Sequence, residues 1–485
     1  MGIGYICYMA SVKKNFAYNL VLTLCNYIFP LLIYPYVSRV LGVTNIGICN
    51  FVDSIIQYFV LFSTLGIGSF GVREIARYKE NREARDKIFS SLFLLNVITT
   101  LLALSVLLIS VNVVESLVSY KKFLWIGTIQ LVSTLFLTNW FFQGISDFKY
   151  ITIRTVVVKC FYVLSVFLFV RDENDTIIFY FLTSSVFVLN AIINWIYGNR
   201  FRSLVFNGIS LTVYLVPVFS FGLYLILTSA YTTFNIVFLG FCSGDTEVGY
   251  FTTATKLYSI IMGTFTAFTT VMVPRVSELL MDGNKEYLQK IVTDTLSLIV
   301  IFSVPIIVLC EFYAHEIIFL VAGRGYEGAE IPFRIVIFLL LIIGFEQIII
   351  QQFLMASKTY KSIFLVSVTG AVFGLFFNIL ITPQMASVGS AICWGISELS
   401  VLIVGIILIN KNLNLFVDNR IILMILPQIL YYVIPVGAIC LLGIGGIVEL
   451  LISAFVLLFL FILFNIKLHK NPYITSVVEK FVRIS

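Results

Sequence analysis

Charge is scarce in this sequence, and histidine is nearly absent. Only 12% of its 485 residues are Asp, Glu, Lys or Arg, about half the share usual in soluble domains. His315 and His469 are the two histidines, too few and too far apart for a His-based catalytic or metal centre. Eight cysteines, at positions 7, 25, 49, 160, 242, 310, 393 and 440, fall singly and form no CxxC pair. They read as small apolar core residues, and no metal or other cofactor is expected. A GxxxxGK[ST] phosphate loop is missing too, so nucleotide hydrolysis within the chain is not an energy source. Long polar stretches are lacking, which leaves no room for a soluble catalytic domain.

What fills the sequence instead is hydrocarbon: 60% of residues are hydrophobic and the mean hydropathy is +1.04. Apolar runs of about 20 residues without period-two alternation exclude a membrane barrel and predict bilayer-spanning helices. Fourteen spans are expected near 15–38, 46–70, 88–111, 123–143, 151–170, 176–197, 211–240, 248–273, 291–310, 333–354, 362–381, 388–409, 421–442 and 446–466. The fold class is therefore all-α integral membrane protein. No cleavable signal is visible, because the first apolar span is too long and many follow it. Met1 and Met9 are both possible starts, and the sequence does not choose between them.

The basic residues orient the chain. With the N-terminus in the cytoplasm, only Arg39, Lys121, Lys122, Arg171, Arg324 and Arg334 fall outside, and Lys159 and Lys256 lie within spans. The remaining basic residues, from Lys13 and Lys14 through Lys358 to Lys467, Lys470, Lys480 and Arg483, fall inside. The positive-inside rule and the even span count put both termini in the cytoplasm. A net charge of +6 spread over many short loops suits anionic headgroups and gives no reason to expect nucleic acid.

Two segments recur at a spacing of roughly two hundred residues. Leu41-Gly42 and Ile46-Gly47 before span 2 resemble Leu239-Gly240 and Val248-Gly249 before span 8. The exit from span 4, Phe142 to Tyr150, resembles the exit from span 10, Leu354 to Ser362. Both matches run in the same direction, predicting a parallel repeat. The expected organisation is a six-helix lobe over 11–204, a second over 205–410, a cavity between them, and helices 13–14 with a cytoplasmic tail over 411–485. Pro30 and Pro35 in span 1 and Pro217 in span 7 are expected to interrupt the first helix of each lobe.

Polar residues at bilayer depth cost about 2.5–3.5 kcal/mol each for charged groups and so mark cavities or partners. Span 2 carries Asn50, Asp53, Ser54 and Gln57 at helical spacing, and span 8 answers with Thr252, Lys256, Ser259, Gly263, Thr266 and Thr270. At 1.5 Å per residue, Asp53 and Lys256 both lie about 10 Å below the outer surface. They line a cavity or form an ion pair between lobes. Lys159 in span 5 either joins them or snorkels away. Glu346, beside Gln347 and Gln351 in span 10, and Glu398 in span 12 are, with Asp53, candidates for coupling to H+ or Na+. Arg39 and Arg73 end spans 1 and 2.

The stretch Asn15 to Arg77 contains Pro30, Tyr34-Pro35-Tyr36, Arg39-Val40-Leu41-Gly42, Gly47, Leu65-Gly66-Ile67-Gly68 and Gly71-Val72-Arg73-Glu74-Ile75-Ala76-Arg77. With Asn139-Trp140-Phe141-Phe142-Gln143-Gly144, Phe148-Lys149-Tyr150 and Arg154, it resembles the polysaccharide transporter family of O-antigen and related flippases. That family belongs to the multidrug, oligosaccharidyl-lipid and polysaccharide exporter superfamily. The resemblance is strong over the first 160 residues and weaker beyond. It implies a non-enzymatic flippase of the bacterial inner membrane that moves an undecaprenyl-diphosphate-linked oligosaccharide to the periplasmic leaflet by alternating access. It also implies a cationic cavity, for which Arg39, Arg73, Lys159 and Lys256 are the available residues. Membrane lipids surround such a protein, and other polysaccharide-assembly proteins are candidate partners.

Two other readings fit parts of the sequence. A cation-coupled drug or small-molecule exporter of the same superfamily would use Asp53, Glu346 and Glu398. A membrane-embedded glycan polymerase or ligase would need a large outer loop. The longest loop, about 311–332, holds His315, Arg324, Glu327 and Glu330 without a catalytic spacing, and Asp172-Glu173-Asn174-Asp175 reads as a solvated turn.

Overall fold

Backbone polar groups in hydrocarbon have no water to bond, so each span must satisfy them within its own helix. The computed structural model, which describes residues 2–282, 285–355, 357 and 359–465, is built this way, with helices and short connections and no strand among the described residues. Met1, Ala356, Lys358 and the tail from 466 onward, with Lys467, Lys470, Lys480 and Arg483, lie outside the described residues.

Among the described residues ten helices are long and apolar enough to cross a membrane, or eleven when Glu327–Ile337 and Leu339–Leu354, bent by 40°, form one span; the more polar Asp245–Asp282 is not among them and is assigned as span 8 from its place between spans 7 and 9. Two of them are double crossings. Gly2–Thr64 breaks at Gly42 into spans 1 and 2, and Tyr360–Leu413 breaks at Ala386 into spans 11 and 12. Spans 3, 5 and 6 are Arg82–Val113, Phe148–Phe169 and Thr176–Gly198, and span 4 is Lys121–Leu137 continued by Asn139–Gly144. Span 7 comprises Leu211–Ser229 and Thr233–Ser243, span 8 is Asp245–Asp282 and span 9 Lys285–Phe312. Span 10 passes from Glu330–Ile337 through Leu339–Glu346 into a π-helix, Gln347–Leu354. Asn419–Cys440 and Gly446–Leu463 complete the fourteen.

The prolines do not make the breaks expected of them. Pro30 and Pro35 sit inside a continuous helix, and the chain turns at Gly42. Span 7 is interrupted around Ala230–Thr232, more than three turns beyond Pro217. A proline costs a helix one hydrogen bond, which the membrane helix absorbs, whereas a reversal of direction needs a backbone shape that α-helix cannot supply.

Gly42 (φ 76°, ψ 169°) and Gly244 (φ 85°, ψ 178°) adopt that shape, which is open essentially to glycine alone. The match to Gly42 is therefore Gly244, four residues after the Gly240 that the sequence suggests. The two junctions dock on each other. A Cβ at Gly47 would lie 1.8 Å from the Asp245 carbonyl oxygen, and one at Gly249 would lie 2.3 Å from that of Val43. Thr44 and Thr246 share a hydrogen bond of 2.9 Å between their hydroxyls, and the Tyr120 hydroxyl donates to Asp245 at 2.8 Å.

At the opposite end a second apolar cluster forms around Ile67, Phe70, Ile75, Phe89, Trp140, Phe141 and Phe142. Span 2 stops at Thr64, earlier than the expected 70, and Leu65 turns the chain into the short helix Ile67–Arg77. That helix packs on Asn139–Gly144, Gly71 against the Trp140 ring and Gly144 against Ile75. The residues that carry the resemblance in these two stretches thus build a packing joint. Outward faces of the spans, such as Leu101, Leu102, Val106 and Ile109, are exposed apolar surface suited to lipid. Span 14 is fastened by Tyr313, whose hydroxyl meets Ser453 at 2.6 Å and donates to Glu449 at 3.2 Å.

Candidate functional site

Helical periodicity puts Asn50 and Asp53 on one face of span 2, and the reciprocal docking of spans 2 and 8 decides what that face meets. It opens into a cavity of about 450 Å³ lined by Pro30, Tyr34, Asn50, Asp53, Lys159 and Lys256, with Phe29, Tyr162, Phe179, Tyr180 and Phe187 among its aromatic walls. Spans 1, 2, 5 and 6 supply the lining. Lys256 is the sole contribution from the second half of the chain among the described lining residues.

The Lys256 ammonium donates to Asn50 Oδ1 at 3.0 Å and stands 4.8 Å from the centre of the Tyr34 ring. Asn50 in turn donates from Nδ2 to Thr252 Oγ1 at 3.0 Å. Tyr34 and Thr253 pair through their hydroxyls at 2.5 Å. Lys159 donates to Asn26 Oδ1 at 2.7 Å, with Phe29 5.8 Å away. Each lysine thus spends one of its three N–H donors on a neutral oxygen.

Asp53 shares the cavity with Lys256 but no ion pair within 4.0 Å joins them. Its oxygens instead accept from Gln130, at 3.4 Å, and from Gln57. Of the remaining stripe, Ser54 is buried and donates to the Asn50 carbonyl at 2.8 Å, and exposed Ser259 donates to that of Thr255 at 2.7 Å. Gln57 also lines a separate hollow of about 270 Å³ with Tyr58, Thr64, Ser229 and Thr233.

Arg39 and Arg73 lie outside the cavity. Arg39 reaches across to the C-terminal end of the short helix Ala314–Val321 and donates to the carbonyls of Phe319, Leu320 and Val321 at 3.3, 2.5 and 3.1 Å. A cation at a helix C-terminus is well placed for the unpaired carbonyls there. Arg73 is exposed beside Glu74, at 3.5 Å, and rests on the rings of Phe70 and Phe221. Arg39 is drawn to a helix end and Arg73 to an adjacent carboxylate and two aromatic rings, placements that hydropathy alone cannot separate from a cavity wall.

Glu346 and Glu398 come together in the second half, outside the cavity lining. Both are buried, and their carboxyl groups are within hydrogen-bond range of each other.

Sequence reasoning missed several polar neighbours of the cavity and of the buried charges. Asn26, Tyr34 and Thr253 look like ordinary membrane-helix residues until packing brings them to the lysines. Arg154, counted among loop residues, is buried and bonded through its guanidinium to Asn139 at 3.0 Å, to Asn194 and to Thr155 at 3.1 Å. Its signal was Asn194 in an otherwise apolar span, a polar residue that needs a partner.

Comparison with known proteins agrees with this geometry. The family described as polysaccharide biosynthesis protein matches residues 12–280, more than half of the chain, and the MatE family matches 221–380. A protein of Escherichia coli (strain K12) named "Putative O-antigen transporter" is 23% identical over 396 residues, 79% of this chain and 92% of that protein. One of the same name from Shigella dysenteriae is 26% identical over 271 residues, 55% of this chain and 68% of its own length. Among solved structures, the lipid II flippase MurJ in an inward closed conformation superposes with a TM-score of 0.69 at 15% identity, covering 95% of this chain and 98% of its own. An inward-facing multidrug resistance MATE transporter reaches 0.59 at 16% identity, covering 82% and 94%. These superpositions show a shared all-helical membrane fold, and the family match makes this chain a member of the polysaccharide biosynthesis protein family, a polysaccharide transporter of the multidrug, oligosaccharidyl-lipid and polysaccharide exporter superfamily.

Proposed function

We propose that the protein is a flippase that carries an undecaprenyl-diphosphate-linked oligosaccharide from the cytoplasmic to the periplasmic leaflet of a bacterial inner membrane. The observation that carries this reading is the pair of lysines in one cavity, neither tied to a carboxylate within 4.0 Å and both surrounded by aromatic rings. A diphosphate cannot enter hydrocarbon unaided, because its charges lose their water. Two ammonium groups with free donors replace that water, and the aromatic walls offer apolar faces to sugar rings. The prenyl tail stays in lipid.

The names of the O-antigen transporters and of the MurJ neighbour support the substrate class. The same backbone shape at Gly42 and Gly244, and the mutual docking of Gly47 and Gly249, support two parallel six-helix lobes over 11–204 and 205–410, followed by spans 13 and 14. Both termini are cytoplasmic in this reading, so the Gly42 and Gly244 junctions face the periplasm and are closed against each other. Alternating access would separate them, driven by an H+ or Na+ gradient acting on acidic residues within the membrane. Other polysaccharide-assembly proteins would supply and accept the substrate.

The test is reconstitution in proteoliposomes with a fluorescent undecaprenyl-diphosphate oligosaccharide. Lectin accessibility of the sugar should change leaflet with the wild-type protein and stay unchanged with a stably inserted Lys159→Ala, Lys256→Ala variant. Wild-type rates in that variant would reject the lysine cavity as the substrate site.

A further inference from the structure

Span 7 is broken where it meets span 2, and a hollow of about 270 Å³ lies against the break. Gln57, Tyr58 and Thr64 of span 2 form one wall, and Ser229 and Thr233 of span 7 form the other, so each half of the chain supplies a side. No Asp, Glu, Lys or Arg is among the described lining residues. The break itself, Ala230–Tyr231–Thr232, contains neither glycine nor proline to force it. Interrupted helix at membrane depth is tolerated where it lines a polar cavity, because the freed backbone groups find partners there.

The hydrogen bonds at the hollow show which groups remain for a ligand. The Tyr58 hydroxyl donates to the Ser229 carbonyl, Thr64 Oγ1 to the Val60 carbonyl and Ser229 Oγ to the Ile226 carbonyl, each at 2.8 or 2.9 Å. Having given its only hydrogen, each of these hydroxyls keeps lone pairs to accept with. The Thr233 hydroxyl has no partner among the described residues, and the Gln57 amide both donates and accepts. Thr232 turns its hydroxyl back to the Thr228 carbonyl at 3.1 Å and leaves the first N–H groups of Thr233–Ser243 without a side-chain cap. The C-terminal end of Leu211–Ser229 stands beside them, so the opposite partial charges of the two helix ends offset.

An uncharged wall with donors and acceptors intermixed suits a group that both gives and takes hydrogen bonds, as a sugar hydroxyl does. A carboxylate only accepts, and it would lose its water there without a counter-charge. The Tyr58 ring adds an apolar face. The volume of about 270 Å³ equals about nine waters at about 30 Å³ each, room for one sugar ring and too little for an oligosaccharide. Gln57 lies one turn, about 6 Å, along span 2 from Asp53, and Tyr58 lies about 12 Å from Asn50, which holds the Lys256 ammonium. A diphosphate at the lysines therefore brings one of the sugars nearest to it to the hollow.

We infer that this hollow is a subsite for one uncharged sugar ring of the transported lipid, and that it selects neutral hexoses over uronic acids at that ring. The assignment rests on the proposed diphosphate cavity, for which Cys49 is a separate reporter.

Thiol protection in the purified full chain tests the two sites side by side. One protein retains only Cys49, and a second has Thr233→Cys with every native cysteine replaced by serine. Each is labelled with a maleimide in the presence of geranylgeranyl diphosphate, either plain or bearing glucose, galactose, N-acetylglucosamine or glucuronic acid. The plain lipid should protect Cys49 and leave the Thr233→Cys thiol reactive. At least one neutral conjugate should protect both thiols, at a half-protecting concentration at least about tenfold below that of the glucuronic acid conjugate. Added to the Cys49 protein, Thr233→Val should raise the half-protecting concentration of that neutral conjugate about two- to tenfold and leave that of the plain lipid unchanged. Protection of Cys49 without protection at Thr233→Cys, equal concentrations for glucuronic acid and neutral conjugates, or a Thr233→Val effect shared by the plain lipid overturns the subsite and leaves the diphosphate cavity standing. Cys49 left unprotected by every lipid rejects the cavity and the subsite with it.

Discussion

Two regions of the molecule meet the same difficulty, charge at bilayer depth, in opposite ways. The cavity of about 450 Å³ gathers Lys159 and Asp53 of the first half with Lys256 of the second and ties them to neutral amides. The second half buries Glu346 and Glu398 against each other and an indole N–H. The lysines of the cavity each spend one donor on a neutral oxygen, whereas the two glutamates are buried and one of them accepts from the indole N–H.

Lys256→Ala breaks the cavity side most directly. Losing one charge-assisted hydrogen bond of about 1.5–3 kcal/mol should lower flipping about ten- to a hundredfold, with membrane abundance unchanged on immunoblots. Arg154→Met sharpens the contrast between a cavity charge and a structural one. It leaves Asn139 and Asn194 short of a buried donor, so about 1–3 kcal/mol of stability should be lost, read as lower abundance and an earlier thermal transition. Arg39→Ala removes three bonds that hold the junction end shut. In a protein retaining only Cys49, a cavity-lining residue, maleimide labelling from the periplasmic side should rise several-fold.

Combining Asp53→Asn with Lys256→Ala asks whether the cavity contains a functional ion pair. None within 4.0 Å joins them, so the double variant should flip no faster than either single variant in the same proteoliposomes. The smallest effect belongs to His315, outside the spans, whose Nδ1 lies 2.6 Å from Glu330. That hydrogen bond raises its proton affinity above the ordinary value. The contribution is therefore full below the unfolded pKa of about 6.5 and fades as pH rises through the higher folded value. A pH series of melting temperatures should show a slight fall over that window, absent in His315→Gln.

Much of the fold was legible in the residues. Apolar run length gave fourteen crossings, and the turns at Gly42 and Ala386 fall between expected spans. The stripe on span 2 pointed to the cavity through Asn50 and Asp53. Less legible was where each polar residue would end. Arg39 and Lys159 were both offered for a cationic cavity, yet one caps a helix end and the other lines a cavity. The broken span 7 was also hidden, since the apolar run passes straight through Ala230.

By itself the sequence determined that the chain lives in a bilayer as helices, because hydrocarbon thickness and backbone hydrogen bonding leave no other solution for such composition. It also determined which residues share a helix face, because that follows from 3.6 residues per turn. Only the tertiary structure decided what each face meets. The crossing of spans 2 and 8 at Gly47 and Gly249 brings Lys256 into a cavity built by other spans, and the packing of spans 10 and 12 brings two glutamates 52 positions apart into contact. Those meetings depend on helix-to-helix packing, which no single segment encodes.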